Sequence, residues 1–215
     1  MTKLIFYYTL FKGTTAYQVV GECKATKSET VADGTPAQLI KLGHKHLQEQ
    51  YNCCIKIIMA AGQLSKHAKQ TAIGNQMNVI RPETLQKLVE LKAKQPGSID
   101  LLQLKPCLEQ QPFGEEADAK VNRYIDDVRE KLKVRSQIIQ AVKQLCSDSD
   151  FPTVVEIKVQ YNATFAATDS KLTNESVKDL TIELSSPLTG YLGRIKGDNW
   201  QSDRFYFLRD LSLDD

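Results

Sequence analysis

AYQVVGECKA, residues 16–25, reads as a strand that runs through a core and ends on charge. Val19 and Val20 are β-branched, and the stretch holds no helix-favouring run. Alternation along an extended chain puts Glu22 and Lys24 on one face and Cys23 on the other. A carboxylate in such a strand is costly unless it is paired or bound to a metal. Upstream, KLIFYYTLF (3–11) is a second apolar strand, and the polar KGTT between the two predicts a hairpin.

Working outward, KSETVADGTP is a loop, and Thr35-Pro36 opens a helix through AQLIKLGHKHLQEQY. CIKIIMAAG is a short buried strand. Ser65 caps the helix SKHAKQTAIG, which Gly74 ends. MNVI is another strand, and Pro82 begins PETLQKLVELKAK, which Pro96-Gly97 stops. Strands alternating with helices predict the α/β class, a mostly parallel sheet covered by helices, over residues 1–97.

From 98 to 147 three helices are expected, broken at Gln111-Pro112-Phe113-Gly114 and near Val134. SDSDFP (147–152) reads as a linker. In residues 153–215, PTVVEIKVQYNATFAA predicts a strand, or two. Thr173 caps the helix NESVKDLTIEL, and Ser185-Ser186-Pro187 starts another short one. RIKGDNWQSDRFYFLRDL forms a hairpin around Gly197-Asp198-Asn199. Helix, short helix and hairpin resemble a winged helix-turn-helix.

With 215 residues the chain can bury one sizeable core or two small ones. No run of about 18 apolar residues is present, so no membrane span is expected. The first residues lack a cleavage site for a signal peptide, and the expected compartment is the cytoplasm. Five cysteines without C-x-x-C spacing fit that compartment and, with three dispersed histidines, give no zinc pattern. The formal charge of +2 hides an asymmetry: residues 1–110 carry 14 Lys and Arg against 8 Asp and Glu. A basic first half is compatible with a polyanionic partner, and solvated helix faces would look the same.

Glu-x-Lys at a strand end suits metal-assisted phosphodiester hydrolysis. The carboxylate can hold Mg²⁺, and the lysine can orient the attacking water. The triplet alone is weak, because Glu156-Ile157-Lys158 repeats it. With its surroundings, VVGECKA followed by IKIIMAAGQLSKHAKQTAIGNQMNVIRPETLQKLVE resembles the PD-(D/E)xK nuclease superfamily, nearest its Mrr-type, restriction-endonuclease-like branch. The resemblance covers about residues 16–93 and is moderately specific. It implies a restriction-endonuclease-like mixed sheet flanked by helices and a Mg²⁺-dependent cut in DNA. Glu22 would be a metal ligand, the main-chain carbonyl of Cys23 another, and Lys24 would position the water. Gln38, on the following helix, would face the same site.

The chain departs from that family in two respects: the helix that usually precedes the first strand is missing, and so is an acid. The family's upstream acid has no counterpart, since residues 1–21 contain no Asp or Glu, and Tyr7, Tyr8 and Thr9 are the polar side chains offered. Three explanations are open: truncation at the N-terminus, another acid (Asp33 or Glu49 by sequence), or a degenerate fold that binds without cutting. Further nucleic-acid contacts are expected from Lys66 and Lys69, with His67 beside them, at a helix N-terminus. Arg194, Lys196 and Arg204 are expected around a wing tipped by Trp200. Cutting both strands of a duplex takes two sites, so the nuclease reading carries a homodimer. The alternative reading is a nucleic-acid-binding or assembly module. A nucleotide-binding Rossmann-like domain is disfavoured, because no G-x-G-x-x-G follows the first strand.

Overall fold

The computed structural model describes residues 5–10, 17–24, 30–31, 34–146, 151–167 and 170–213. The KGTT turn, Asp33 and residues 147–150 of the expected linker lie outside them. The architecture is mixed α/β, and the chain divides into two compact units, Met1–Val128 and Arg129–Asp215.

The first unit is built on β1 (Ile5–Leu10), β2 (Tyr17–Lys24), β3 (Thr30–Val31) and α1 (Gly34–Leu47). A 3-10 turn (Gln48–Cys53), β4 (Ile55–Ala60), β5 (Gln63–Leu64), α2 (Lys66–Gly74) and β6 (Met77–Ile80) follow. Then come α3 (Pro82–Lys94), α4 (Leu101–Glu109) and the start of α5 (Ala117–Cys146). The main sheet runs β1-β2-β4-β6. β1 is antiparallel to β2, whereas β2, β4 and β6 are parallel. Successive parallel strands need helical crossovers, and α1 and α2 supply them.

One sheet face carries Val20, Ile58, Ala60, Met77 and Val79. It packs with Leu39 of α1 and with Ala68 and Ala72 of α2. Small residues on α2 let that helix approach the sheet closely. The opposite face meets α4 and α5. There Asn78, fully buried, donates to the Leu108 carbonyl at 2.8 Å and accepts from Lys120 Nζ at 3.0 Å. Lys120 also donates to the Gln110 carbonyl, so its buried ammonium has oxygen partners. The edge of β6 is covered by Gly114, whose carbonyl accepts from Val79 N–H at 3.0 Å. Asp118 of α5 serves the start of α3, accepting from Arg81 N–H at 2.8 Å and the Thr84 hydroxyl at 3.0 Å.

The second unit holds the rest of α5, then α6 (Val154–Thr164), α7 (Asn174–Leu184), β7 (Leu192–Ile195) and β8 (Arg204–Phe207). Ile138, Ile139, Val142, Val154, Ile157, Tyr161, Val177, Leu184, Leu192 and Phe205 form its core. β7 and β8 are the expected antiparallel hairpin, and Thr153 bridges to Arg204.

Three expectations fail here. PTVVEIKVQYNATFAA is not a strand: Thr153 and Glu156 form a reciprocal capping box, and α6 follows. α5 runs through Val134 without a break, as a stretch free of Gly and Pro allows. Ser185-Ser186-Pro187 opens no helix, and residues 185–189 are turn, with Thr189 donating back to the Glu183 carbonyl at 2.7 Å.

Candidate functional site

In a parallel sheet the strand carboxyl ends and the following helix N-termini share one edge, where ligands commonly bind. Glu22 and Lys24 stand at that end of β2. Glu22 is 2% exposed, and Cys23 and Lys24 are half-buried. Register pairs Glu22 with Ile58 and Lys24 with Ala60, so both side chains share the face covered by α1 and α2. The Cys23 thiol points to the other face, and burial, then the Glu22 charge, push its pKa up. Gln38 sits on α1 and lines an open hollow of about 400 Å³ with Gly34, Ala37, Lys41 and Leu42.

The same edge receives α2. Ser65 N–H donates to the Val31 carbonyl at 3.1 Å, and the Ser65 hydroxyl caps Ala68 N–H at 3.2 Å. This is the predicted cap, and it presents Lys66 and His67 to solvent. Lys69 differs from its expectation. Its ammonium pairs with Glu115 Oε2 at 2.6 Å, and Glu115 Oε1 accepts from Leu64 N–H at 2.6 Å. The pair neutralises Lys69 and ties α2 to the segment before α5. Arg81, at the end of β6, lies on the same edge and donates to the Ala61 carbonyl at 2.6 Å. No motif in the sequence marks Arg81, which stands as the residue before Pro82 at the start of α3.

Asp33 lies outside the described residues. Glu49 is exposed in the 3-10 turn that leads into β4, so it stands at the amino end of the sheet. Glu22 is near the carboxyl end, and Glu49 cannot share a ligand with it. Among the described residues no three of His, Cys, Asp and Glu converge as a metal site. Of the two donors that the family resemblance implies, the Glu22 carboxylate and the Cys23 carbonyl, the structure buries the carboxylate at the strand end, with Cys23 next to it. Mg²⁺ is commonly held by one or two carboxylates, with water and substrate phosphate completing its shell. The donor set meets the lower bound of that requirement, with phosphate needed to complete it.

In the second unit two of the three wing cations are committed elsewhere. Arg194 donates to Asp203 Oδ2 through Nε at 2.9 Å and Nη2 at 2.5 Å, and Asp203 Oδ1 accepts from Gly197 N–H at 3.0 Å. Asp203 is 2% exposed, so this pair locks the hairpin loop. Asp203→Ala is expected to lower stability by about 3 kcal/mol, because Arg194 keeps its charge and loses its counter-charge. Urea unfolding measures the loss; an unchanged midpoint would show that the pair is not holding the loop. Arg204 donates to the Phe151 carbonyl at 2.7 Å. Lys196 is exposed. Trp200 does not tip a wing; it packs against the core, with Lys178 Nζ 5.8 Å from its ring centroid. α7, the helix before the hairpin, exposes Glu175, Asp179 and Glu183. Glu183 is paired with Arg135 at 2.8 Å and Asp179 lies 3.5 Å from Lys178, so the helix presents a weakly acidic face that favours phosphate little.

No known protein family, curated protein or solved structure matches this chain. No helix among the described residues is long and apolar enough to cross a membrane.

Proposed function

We propose that the first unit is a Mg²⁺-dependent endonuclease acting on DNA, with a restriction-endonuclease-like fold and its site at the carboxyl edge of β2. The observation that carries this reading is a buried carboxylate, Glu22, sharing a sheet face with Lys24 at the edge where α1 and α2 begin. Burying a carboxylate is costly unless it is paired or binds a metal, and a position at the carboxyl edge of a parallel sheet suits the second use. Glu22, with the Cys23 carbonyl, would hold the ion. Mg²⁺ there supplies charge neutralisation and a water of lowered pKa. Lys24, half-buried, keeps its ammonium close to the phosphate, orients the attacking water and stabilises the charge that develops on the phosphoryl oxygens. Gln38 would hold substrate or water from α1. Lys66, exposed beside the N-terminus of α2, would take a neighbouring phosphate. Cleavage of both strands would use two copies of the chain.

A second reading, an assembly module without cleavage, has an observation of its own. The second unit resembles a winged helix, yet Arg194 is consumed by Asp203 and α7 is acidic. Its role is then contact between proteins, with Lys196 the remaining candidate for phosphate.

Supercoiled plasmid with Mg²⁺ or Mn²⁺ tests both. Nicking by the wild type is expected to fall to the metal-free level in Glu22→Ala and Lys24→Ala. No nicking by the wild type, or nicking that survives in both variants, leaves the assembly reading.

A further inference from the structure

The β7–β8 hairpin turns one face to the core of the second unit, where Leu192 and Phe205 are buried. Alternation turns Arg204 and Tyr206 to the outer face, in register with Ile195 and Gly193. Phe151-Pro152-Thr153 adds a third row. Thr153 bridges antiparallel to Arg204, and the Pro152 carbonyl accepts from Phe205 N–H at 3.0 Å, which sets Phe151 beside Tyr206.

Two aromatic rings thus stand side by side on one outer face. Their centroids are 5.3 Å apart, with 42° between the planes. Tyr206 is half-buried because it lies on the Gly193 backbone, where a Cβ would run into ring atoms Cζ, Cε1 and Cε2. The missing side chain lets the ring lie down on the sheet. Phe151 is 43% and Ile195 47% exposed. Cations border the rings. Arg204 is exposed and spends one donor, Nη1, on the Phe151 carbonyl at 2.7 Å, so the rest of its guanidinium fork remains. Lys196 follows Ile195, is exposed, and forms no ion pair among the described residues. Glu156 is the acid within electrostatic reach of Arg204, and its Oε2 is held in the α6 cap by Thr153 N–H at 2.7 Å and the Thr153 hydroxyl at 2.8 Å.

We propose that this face binds single-stranded DNA, with unstacked bases against Phe151 and Tyr206 and phosphates on Arg204 and Lys196. Stacking on such rings accepts any base, since every base has a π-face, and the cations follow the backbone. A duplex keeps its bases stacked on one another and offers the rings only sugar and phosphate. Aromatic residues and arginine also suit a protein partner, but protein interfaces are depleted of lysine, and Lys196 borders this face. The inference rests on the proposed function only for its class of substrate, DNA, and needs no cleavage at Glu22.

Fluorescence anisotropy of a labelled oligothymidylate of about 12 nucleotides, titrated with the full chain in EDTA, tests it. EDTA stops any metal-dependent cut, so binding here and plasmid nicking can fail separately. The single strand is expected to bind about tenfold tighter than a duplex of the same length. Phe151→Ala, at an exposed position, is expected to weaken binding about tenfold, whereas Phe151→Trp keeps it. Tyr206→Leu is expected to act as Phe151→Ala does; should it lower the urea midpoint, the two Phe151 variants carry the test. Lys196→Ala is expected to weaken binding and to lower the salt slope by about 1. No binding by the wild type, equal binding of duplex, or full affinity in Phe151→Ala overturns the proposal. A wild type that binds no oligonucleotide but dimerises, with the dimer lost in Phe151→Ala, overturns it in favour of protein contact.

Discussion

Gly43→Ala is expected to destabilise the first unit by about 3 kcal/mol, although alanine is the better helix former by about 1 kcal/mol. Gly43 lies in the interior of α1, against the flat of the Tyr51 ring. A Cβ there would meet Tyr51 Cδ2 and Cε2 at 2.2 Å and Cζ at 3.0 Å. The ring has little room to retreat, with His44 and Lys56 on it and the apolar cluster of the sheet around it. Either the ring leaves its rotamer or α1 lifts off β2, and both expose apolar surface. The control is a double-mutant cycle. Tyr51→Ala alone costs about 4 kcal/mol as a cavity. In that background Gly43→Ala has nothing to strike, and its effect reverses to a gain of about 1 kcal/mol from helix propensity. Thermal and urea unfolding of the four proteins gives the cycle. A Gly43→Ala protein as stable as the wild type would mean that Tyr51 does not pack on α1.

Much of the first unit was legible because local and global signals agree in it. The strand through Val19 and Val20, the Ser65 cap and Pro82 at the start of α3 each name one structure, and each formed. The second unit was harder, and α6 shows why. Val154, Ile157 and Tyr161 face the core at helical spacing, while Val155 and Val159 are exposed. A helix apolar on two sides has no period to read, and its β-branched residues suggested a strand. The signal that decides it is polar: Thr153 followed at three residues by Glu156, a capping box.

The candidate site divides in the same way. That Glu22 and Lys24 share a face follows from alternation alone. What became of the basic residues did not, because partners remote in sequence decide it. Glu115 takes Lys69 from 46 residues away, and Asp203 takes Arg194 across the hairpin loop. Glu49 illustrates the converse error. It stands closer in sequence to Glu22 than most acids do, yet the crossover through α1 carries it to the opposite edge of the sheet. Charge counts on a sequence therefore overstate the surface available to phosphate, and nearness along the chain says little about nearness in a parallel sheet.

Alkaline unfolding is expected to be steep, with two tyrosines as its cause. Tyr17 is 6% and Tyr51 2% exposed, and neither hydroxyl has a hydrogen-bond partner among the described residues. Burial pushes each phenol from its ordinary 10 up to about 12, aided at Tyr17 by Tyr124, Glu109 and Asp100 and at Tyr51 by Cys54. Between those values the unfolded chain has lost both protons and the native state keeps them. The native state binds more protons, so stability is whole below about pH 10 and is lost as pH rises toward about 12. At about 1.4 kcal/mol for each unit, the pair accounts for roughly 5 kcal/mol, a large part of a domain's stability. Lys56 and Lys120, whose amines burial holds low, work in the opposite sense and gain as pH rises toward the ordinary lysine value. The Tyr17→Phe, Tyr51→Phe protein separates the two effects. At neutral pH it is expected to match or exceed the wild type by about 1 kcal/mol, since it deletes two buried hydroxyls without partners. Near pH 12 the gap is expected to widen to about 6 kcal/mol. Urea midpoints between pH 8 and pH 12, followed beside phenolate absorbance, measure it. A constant gap across that range would show that both phenols titrate as in water, and would place them at the surface rather than in the core.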